Sequence, residues 1–258
     1  MRIALGIEYN GTGFNGWQRQ HNVPTIQGKL EEALSKVANE KIEIFCAGRT
    51  DAGVHATGQV VHFDTRAKRH IDAWIFGVNI SLHPSIAVRW SRAVDYHFHA
   101  RFRATSRRYV YVIYNNPVRP ALLNTRVSWH YYPLDIELMR LASLCLIGEH
   151  DFNSFRSTQC NSKTSVRKVN EISFTRQGDY IFIEIEANAF LHHMVRNIVG
   201  SLMKVGSGRR EIAWMEQVLQ AKSRKVAAET APPDGLYLTQ VKYPQIYNFP
   251  LTDVPFLL

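Results

Sequence analysis

Ile3-Ala4-Leu5-Gly6-Ile7-Glu8-Tyr9 and, after a Gly-rich break, Ile26-Gln27-Gly28-Lys29-Leu30-Glu31-Glu32-Ala33-Leu34-Ser35-Lys36-Val37-Ala38 decide how this chain begins. In the first run the apolar residues Ile3, Leu5, Ile7 and Tyr9 recur with period two, which is the signature of a strand with one buried face. In the second, Ile26, Leu30, Ala33, Leu34, Val37 and Ala38 recur at helical spacing, and Thr25 stands where an N-cap is wanted. Short strands are expected over 42–47 and 59–64, a weaker helix over 71–80 and a strand over 86–91, so the first half reads βαββαβ. The order then repeats. Arg108–Tyr114 is a strand. Asp135 caps a helix that Gly148 can end, and Glu171–Thr175 with Tyr180–Ala187 makes a hairpin around Gln177-Gly178. Phe190–Val205 is a long helix, a further helix lies near 210–219, and Gly235–Tyr243 closes the set. The expected fold is α+β, with two ferredoxin-like halves, 1–100 and 101–258, each a mainly antiparallel sheet flanked by helices. His97–Ser106 is the expected junction.

Composition narrows the function classes. The chain has 258 residues and 45% hydrophobic content, enough for a sizeable core. No apolar run is long enough to span a membrane, and the N-terminal apolar stretch reads as a strand rather than a signal peptide. Cys46, Cys145 and Cys160 are far apart and odd in number, which argues against a zinc site or a disulfide framework and fits a cytoplasmic protein with free thiols. Lysine and arginine number 31 against 22 acids, for a formal charge of +9, a surplus that favours a polyanionic partner.

The segment with the most chemistry is Cys46-Ala47-Gly48-Arg49-Thr50-Asp51-Ala52-Gly53-Val54-His55-Ala56. Two glycines flank an Arg-Thr-Asp triplet in a tight loop between strands. There an acid and a base two residues apart can aim at one pocket, since glycine allows positive φ and close backbone approach. Taken alone, the same residues also suit an ordinary Asx-type turn with a solvated arginine.

The run GRTDAGVHATGQVVHF resembles the signature of the tRNA pseudouridine synthase I family. Four further segments resemble that family in the same order: YNGTGFNGWQ, ARFRATSRRYVYVIYN, ANAFLHHMVRNIVGSLMKVG and GLYL. The resemblance covers nearly the whole chain. It implies an isomerase that converts uridine to pseudouridine at tRNA positions 38, 39 and 40, in the anticodon stem-loop, with an active-site cleft between the halves. It implies that Asp51 is the essential carboxylate, that Arg49 contacts RNA near the displaced base, and that Tyr109 stacks on the target uracil. Arg196 is implied to pair with the aspartate, and Leu236 to Leu238 to line the uracil pocket. A homodimer in which one tRNA touches both subunits is implied as well. The reaction breaks N1–C1′ and joins C5 to C1′, with no redox change and no group donor, so no cofactor is expected.

The stretch Phe98-His99-Ala100-Arg101-Phe102-Arg103-Ala104-Thr105-Ser106-Arg107-Arg108-Tyr109 mixes arginine with aromatics, as an RNA-binding surface does, although a basic strand edge reads the same way. Arg66, Lys68 and Arg69 form a second basic cluster, and the polar segment Gln159, Cys160, Asn161, Ser162 and Lys163, with Arg167 and Lys168 after it, can follow a phosphate backbone. The resemblance implies RNA contact at Phe98–Phe102 and at Gln159–Lys163. His192-His193 invites a metal reading, but no third ligand follows at useful spacing, so no metal is expected. Two other functions fit parts of the sequence. One is a non-catalytic RNA-binding or RNA-chaperone module, against which the intact Arg49-Thr50-Asp51 triplet argues. The other is a metal-dependent nuclease, which needs clustered acids that Asp51 lacks in sequence.

Overall fold

Strand β1 (Arg2–Tyr9) opens a computed structural model that describes residues 1–160 and 162–250. The chain resolves into two compact units. One holds residues 1–107 together with the chain from Tyr237 onward, and the other holds residues 108–236.

In the first unit β1 leads to α1 (Ile26–Ala38), where the Thr25 side chain accepts a hydrogen bond from the Gly28 amide, so the N-cap read from the sequence is present. Next come β2 (Phe45–Cys46), β3 (His55–Asp64), a 3-10 turn over Ile71–Trp74, α2 (Phe76–Ser81) and β4 (Ile86–Val94). β1 pairs antiparallel with both β3 and β4, and β2 pairs antiparallel with β3. The order β4-β1-β3-β2 is that of a ferredoxin-like βαββαβ unit. β3 starts at His55, four residues earlier than expected, so the Arg-Thr-Asp loop runs straight into it.

Both faces of this sheet are covered. Ile3, Leu5, Ile7, Val61 and Phe63 form one face and are fully buried, as are Ile26, Leu30 and Leu34 on α1, while Trp74 meets Phe63 edge-on at 5.1 Å. On the other face Ala4, Val60, Trp90, Phe98 and Ala100 cluster with Tyr243, Tyr247 and Phe249. Period two in β1 therefore marks only the first face, because Ala4 and Gly6 are small enough to lie under Trp90 and its neighbours.

The second unit carries most of β5 (Ser106–Asn115). It continues with β6 (Ser128–His130), α3 (Ile136–Ser143), β7 (Gly148–Asp151), β8 (Val166–Gln177), β9 (Tyr180–Ala187), α4 (Met194–Gly206) and α5 (Trp214–Ala221). Its strands run in the order β5-β9-β8-β7, with β6 parallel to the end of β5. The β8–β9 hairpin turns at Gly178, whose φ of 57° suits a tight turn. Asp135 caps α3 by accepting from the amides of Glu137 and Leu138. The helix ends at Ser143, and Gly148 begins β7 rather than stopping α3. α4 begins at Met194, not Phe190. His193 takes φ 63°, a left-handed conformation that a continuing α-helix does not allow, so His192 and His193 precede the helix.

From β10 (Leu236–Lys242) the chain returns to the first unit. Tyr237 and Leu238 pair in parallel with His55 and Ala56 at the start of β3. Among the described residues, no helix is long and apolar enough to cross a membrane.

Candidate active site

Residues 47–54 link β2 to β3, and backbone contacts define their course. The Val54 amide donates to the Asp51 carbonyl at 3.2 Å, and Gly53 has φ 80°, a value that favours glycine. This is the tight turn expected around the triplet. Asp51 is half-buried and Arg49 is exposed. Thr50, between them, is buried, and its Oγ1 shares a 2.7 Å hydrogen bond with the Tyr9 hydroxyl.

The loop is also held from behind. The Trp17 amide donates to the Thr50 carbonyl at 3.0 Å, and Gly16 lies so close that a Cβ there would be 2.9 Å from the same oxygen. Gly11 lies closer still, since its Cβ would fall 2.0 Å from the Val54 carbonyl oxygen. At the loop's start the Gln59 side-chain Nε2 donates to the Gly48 carbonyl at 2.6 Å, and the Arg107 guanidinium donates to the Ala47 carbonyl at 3.0 Å. Sequence reasoning assigned no role to Trp17, His55 or Gln59, took Tyr9 only as a strand residue and placed Arg107 in the stretch expected to bind RNA. The available signal was that Tyr9, Gly11, Gly16 and Trp17 stand together in the YNGTGFNGWQ run, which proves to be the backing of the Asp51 loop.

In the second unit Tyr109 on β5 is nearly buried and meets Phe190 edge-on at 5.0 Å. Arg196, on the first turns of α4, is half-buried. Its Nε donates to the Ala231 carbonyl at 2.8 Å, and its own carbonyl accepts from the Ala231 amide at 3.1 Å. The same helix grips residues 228–231 elsewhere. Fully buried Asn197 accepts from Thr230 Oγ1 at 2.7 Å, and Gly200 lies against the Glu229 carbonyl, where a Cβ would come within 2.1 Å of the oxygen. Beyond this grip the Tyr111 hydroxyl, its pKa pushed up by burial, donates to the Pro232 carbonyl at 2.8 Å. The Val112 amide donates to the Gly235 carbonyl at 2.8 Å. These contacts fix the approach to Leu236. Leu236 and Leu238 are both buried, Leu238 within the first unit beside Ala56.

The segment expected to bind RNA divides into a buried and an exposed part. Phe98 and Ala100 are fully buried, so their side chains belong to the core. His99 Nδ1 accepts from the Arg101 amide at 3.1 Å, and Phe102 is 74% exposed, with the His99 ring 4.3 Å away and the Arg101 guanidinium 5.6 Å away. His99, Arg101 and Phe102 therefore supply the accessible chemistry, from a turn rather than a strand edge. Arg107 and Arg108 are held internally: Arg107 by the carbonyls of Ala47 and Arg101, and Arg108 by Glu171, Glu184 and Glu186. Arg69 is exposed, with its Nε on the Val37 carbonyl at 3.0 Å.

In the second expected RNA segment Gln159 and Lys163 are exposed and Cys160 and Ser162 are half-buried, while Asn161 lies outside the described residues. Arg156 donates to the carbonyls of Cys160 and Ser162, and Arg167 donates to Ser162 Oγ at 2.7 Å, so both arginines shape the loop from within. Burial raises the Cys160 thiol, but hydrogen bonding at His192 and Ser162 and the Arg156 charge outweigh it and leave the thiol below its ordinary range. The His192 and His193 rings lie 4.0 Å apart, tilted by 41°.

The model of a family described as tRNA pseudouridine synthase matches residues 6–103 and 142–244. The tRNA pseudouridine synthase A of Histophilus somni (strain 2336) is 58% identical over 250 residues, which span 97% of this chain and 93% of that protein. The enzyme of the same name from Shewanella sp. (strain MR-4) is also 58% identical, over 97% of this chain and 96% of its own. Two similar solved structures are more distant, at 11% and 12% identity. One chain of a Cbf5-Nop10-Gar1 complex aligns over 86% of this chain and 59% of its own with a TM-score of 0.38 and 12% identity, too slight a likeness to argue from. The sequence relatives and the family model decide the matter: the chain belongs to the tRNA pseudouridine synthase family and is an isomerase of uridine in tRNA.

Proposed function

We propose that the chain isomerises uridines 38, 39 and 40 of the tRNA anticodon stem-loop, with Asp51 as the catalytic nucleophile. The observation that carries this reading is the build of the Asp51 loop: its backbone is anchored at Ala47, Gly48, Thr50 and Val54, while Asp51 stays only half-buried. A carboxylate held this way reacts from a fixed position, which is where much of an enzyme's advantage over free solution arises.

In this reading the target uridine leaves its stack, at a cost of a few kcal/mol, and its base rests on the Tyr109 ring. The Asp51 carboxylate attacks uracil C6 or ribose C1′. The N1–C1′ bond breaks, the uracil turns and C5 bonds to C1′, the bond to Asp51 breaks to free its carboxylate, and the C5 proton passes to a carboxylate while N1 takes up a proton. Arg196 pairs with Asp51 and favours its ionised form. Arg49 contacts the RNA beside the displaced base, and Leu236 and Leu238 line the uracil pocket. Arg69, His99, Arg101, Phe102, Gln159 and Lys163 hold the tRNA. The step needs no cofactor. The enzyme acts in the cytoplasm as a homodimer, with one tRNA touching both subunits.

Unmodified tRNA tritiated at uridine C5 tests this directly. Wild type releases tritium and leaves the RNA chain intact, whereas Asp51→Asn binds the tRNA in a filter assay and releases none. Asp51→Asn turnover within about tenfold of wild type would refute the nucleophile assignment, because loss of a nucleophile costs far more. Binding by wild type without release would identify an RNA-binding module instead.

A further inference from the structure

We infer that His55 is a positioning residue for Asp51 and acts through the backbone of Gly11. The inference rests on the reading of Asp51 as nucleophile and adds a residue to it.

His55 is the first residue of β3 and is 1% exposed. Its Nδ1 lies 3.0 Å from the Gly11 amide nitrogen. A backbone N–H can only donate, so Nδ1 is the acceptor and the ring proton resides on Nε2. The ring is also stacked on Tyr237, with centroids 4.7 Å apart and planes within 26°. Tyr237 is the residue paired with His55 across the parallel β3–β10 ladder. The imidazole is thus fixed on one side by a strand partner and uses its nitrogen to hold a loop on the other.

What it holds is the start of the segment behind Asp51. Gly11 lies against the Val54 carbonyl, Gly16 against Thr50 and Ala52, and the Trp17 amide on the Thr50 carbonyl. Through the Gly11–His55 bond a side chain that follows the Asp51 loop grips the segment backing that loop. Without it the Gly11 amide faces a buried site with no acceptor, and the segment must move to find one. Because Gly11 and Gly16 touch the loop through backbone atoms, such a shift passes to Asp51.

Two substitutions separate the acceptor from the ring. His55→Phe keeps an aromatic ring against Tyr237 but puts carbon where Nδ1 stood. His55→Asn gives up the ring but places an amide oxygen close to the Nδ1 position. In single-turnover tritium release, His55→Phe is expected to lower the rate by about tenfold to a hundredfold, the scale of a small misplacement of a reacting group. Its KM for tRNA should stay within about twofold of wild type, and His55→Asn should recover most of the rate. A normal rate in folded His55→Phe, a defect confined to KM, or His55→Asn no better than His55→Phe would each overturn the inference. A measurement on the wild-type protein applies even if both variants fail to fold. An NMR scalar coupling between the Gly11 amide and His55 Nδ1 is expected, and its absence refutes the bond. Asp51→Asn assayed in parallel keeps the two ideas apart: an active Asp51→Asn sinks the nucleophile, while a normal His55→Phe beside an inactive Asp51→Asn sinks only the positioning role.

Discussion

Replacing Arg108 by methionine should destabilise the second unit out of proportion to the loss of one surface charge. Arg108 reaches from β5 across β9 to β8. Its Nη2 and Nε lie 2.8 and 3.1 Å from Glu186 Oε2, its Nη1 is 3.2 Å from Glu184, and its Nη2 is 2.9 Å from Glu171. Glu171 and Glu186 face each other across the β8–β9 ladder, a pairing of like charges that is unfavourable unless a cation bridges it. Burial opposes the Arg108 charge, but Glu186 and its companions outweigh it and leave the guanidinium above its ordinary range. The side chain of Glu186 is 8% exposed, against 27% for Arg108, 35% for Glu184 and 55% for Glu171. Breaking a fully buried pair by removing one partner costs about 3–5 kcal/mol, and solvent screening of the more open members reduces this to about 2 kcal/mol here. Urea unfolding of Arg108→Met, Glu186→Gln and the double variant measures it. The double variant should lose about 1 kcal/mol less than the sum of the singles, and Glu171→Gln alone should be close to neutral. A loss under about 0.5 kcal/mol for Arg108→Met, or additivity within about 0.5 kcal/mol, would show that the network does not hold the strands.

Three other outcomes are expected. Gly200→Ala forces a Cβ to within 2.1 Å of the Glu229 carbonyl oxygen, so α4 and residues 229–231 must part. Unfolding free energy should fall by about 1–3 kcal/mol, with slower tritium release, and unchanged stability would mean the contact is not this close in solution. His62 is pushed down to about 4, first by burial and then by the charges of His99 and Arg2, so the fold favours its neutral ring. A depressed folded value means this contribution is fully present above the unfolded value near 6.5 and is lost as pH falls toward 4. The urea midpoint should therefore drop across that window, less steeply in His62→Gln, and equal slopes would remove His62 as the cause. Binding of folded tRNA should weaken with salt at a slope of log K against log salt of about −4 to −5 for roughly six phosphate contacts, and a slope near zero would place the basic patches off the RNA path.

Local chemistry was the legible part of the sequence. Period two gave β1, helical spacing with a Thr cap gave α1, Asp135 gave the start of α3, and Gly178 gave the hairpin. Each of these is decided by near neighbours in the chain. What escaped depends on distant partners. Nothing near Arg108 announces three glutamates more than sixty residues away, so it reads as a cation for RNA. Phe98 and Ala100 stand in an arginine-rich run, yet face the core because Tyr243, Tyr247 and Phe249 cover that side of the sheet. His192-His193 reads as helix because apolar spacing continues through Leu191, while the left-handed backbone at His193 has no sequence mark of its own. The Asp51 loop was recognisable by its motif, but its backing was not. Gly11, Gly16 and Trp17 meet the loop through backbone atoms and packing, which a residue pattern does not encode.

The return of the chain to its first unit has a consequence for biosynthesis. Trp90 stacks on Phe249 at 4.9 Å, Phe98 meets Tyr247 at 4.9 Å, and the Tyr243 hydroxyl donates to the Ala100 carbonyl. A ribosome that has finished residue 107 has made the sheet but not Tyr243, Tyr247 or Phe249, which pack over this face. At elongation rates of about 5–20 residues per second, the intervening unit takes on the order of ten seconds to emerge. For that interval the nascent chain presents tryptophan and phenylalanine to whatever is nearby, which is the condition under which chaperones engage. Tyr237, the ring on which His55 rests, arrives in the same late segment. The Asp51 loop thus receives this support only after residues 108–236 have been made, so a chain stalled before Tyr237 carries the loop without the ring on which His55 rests.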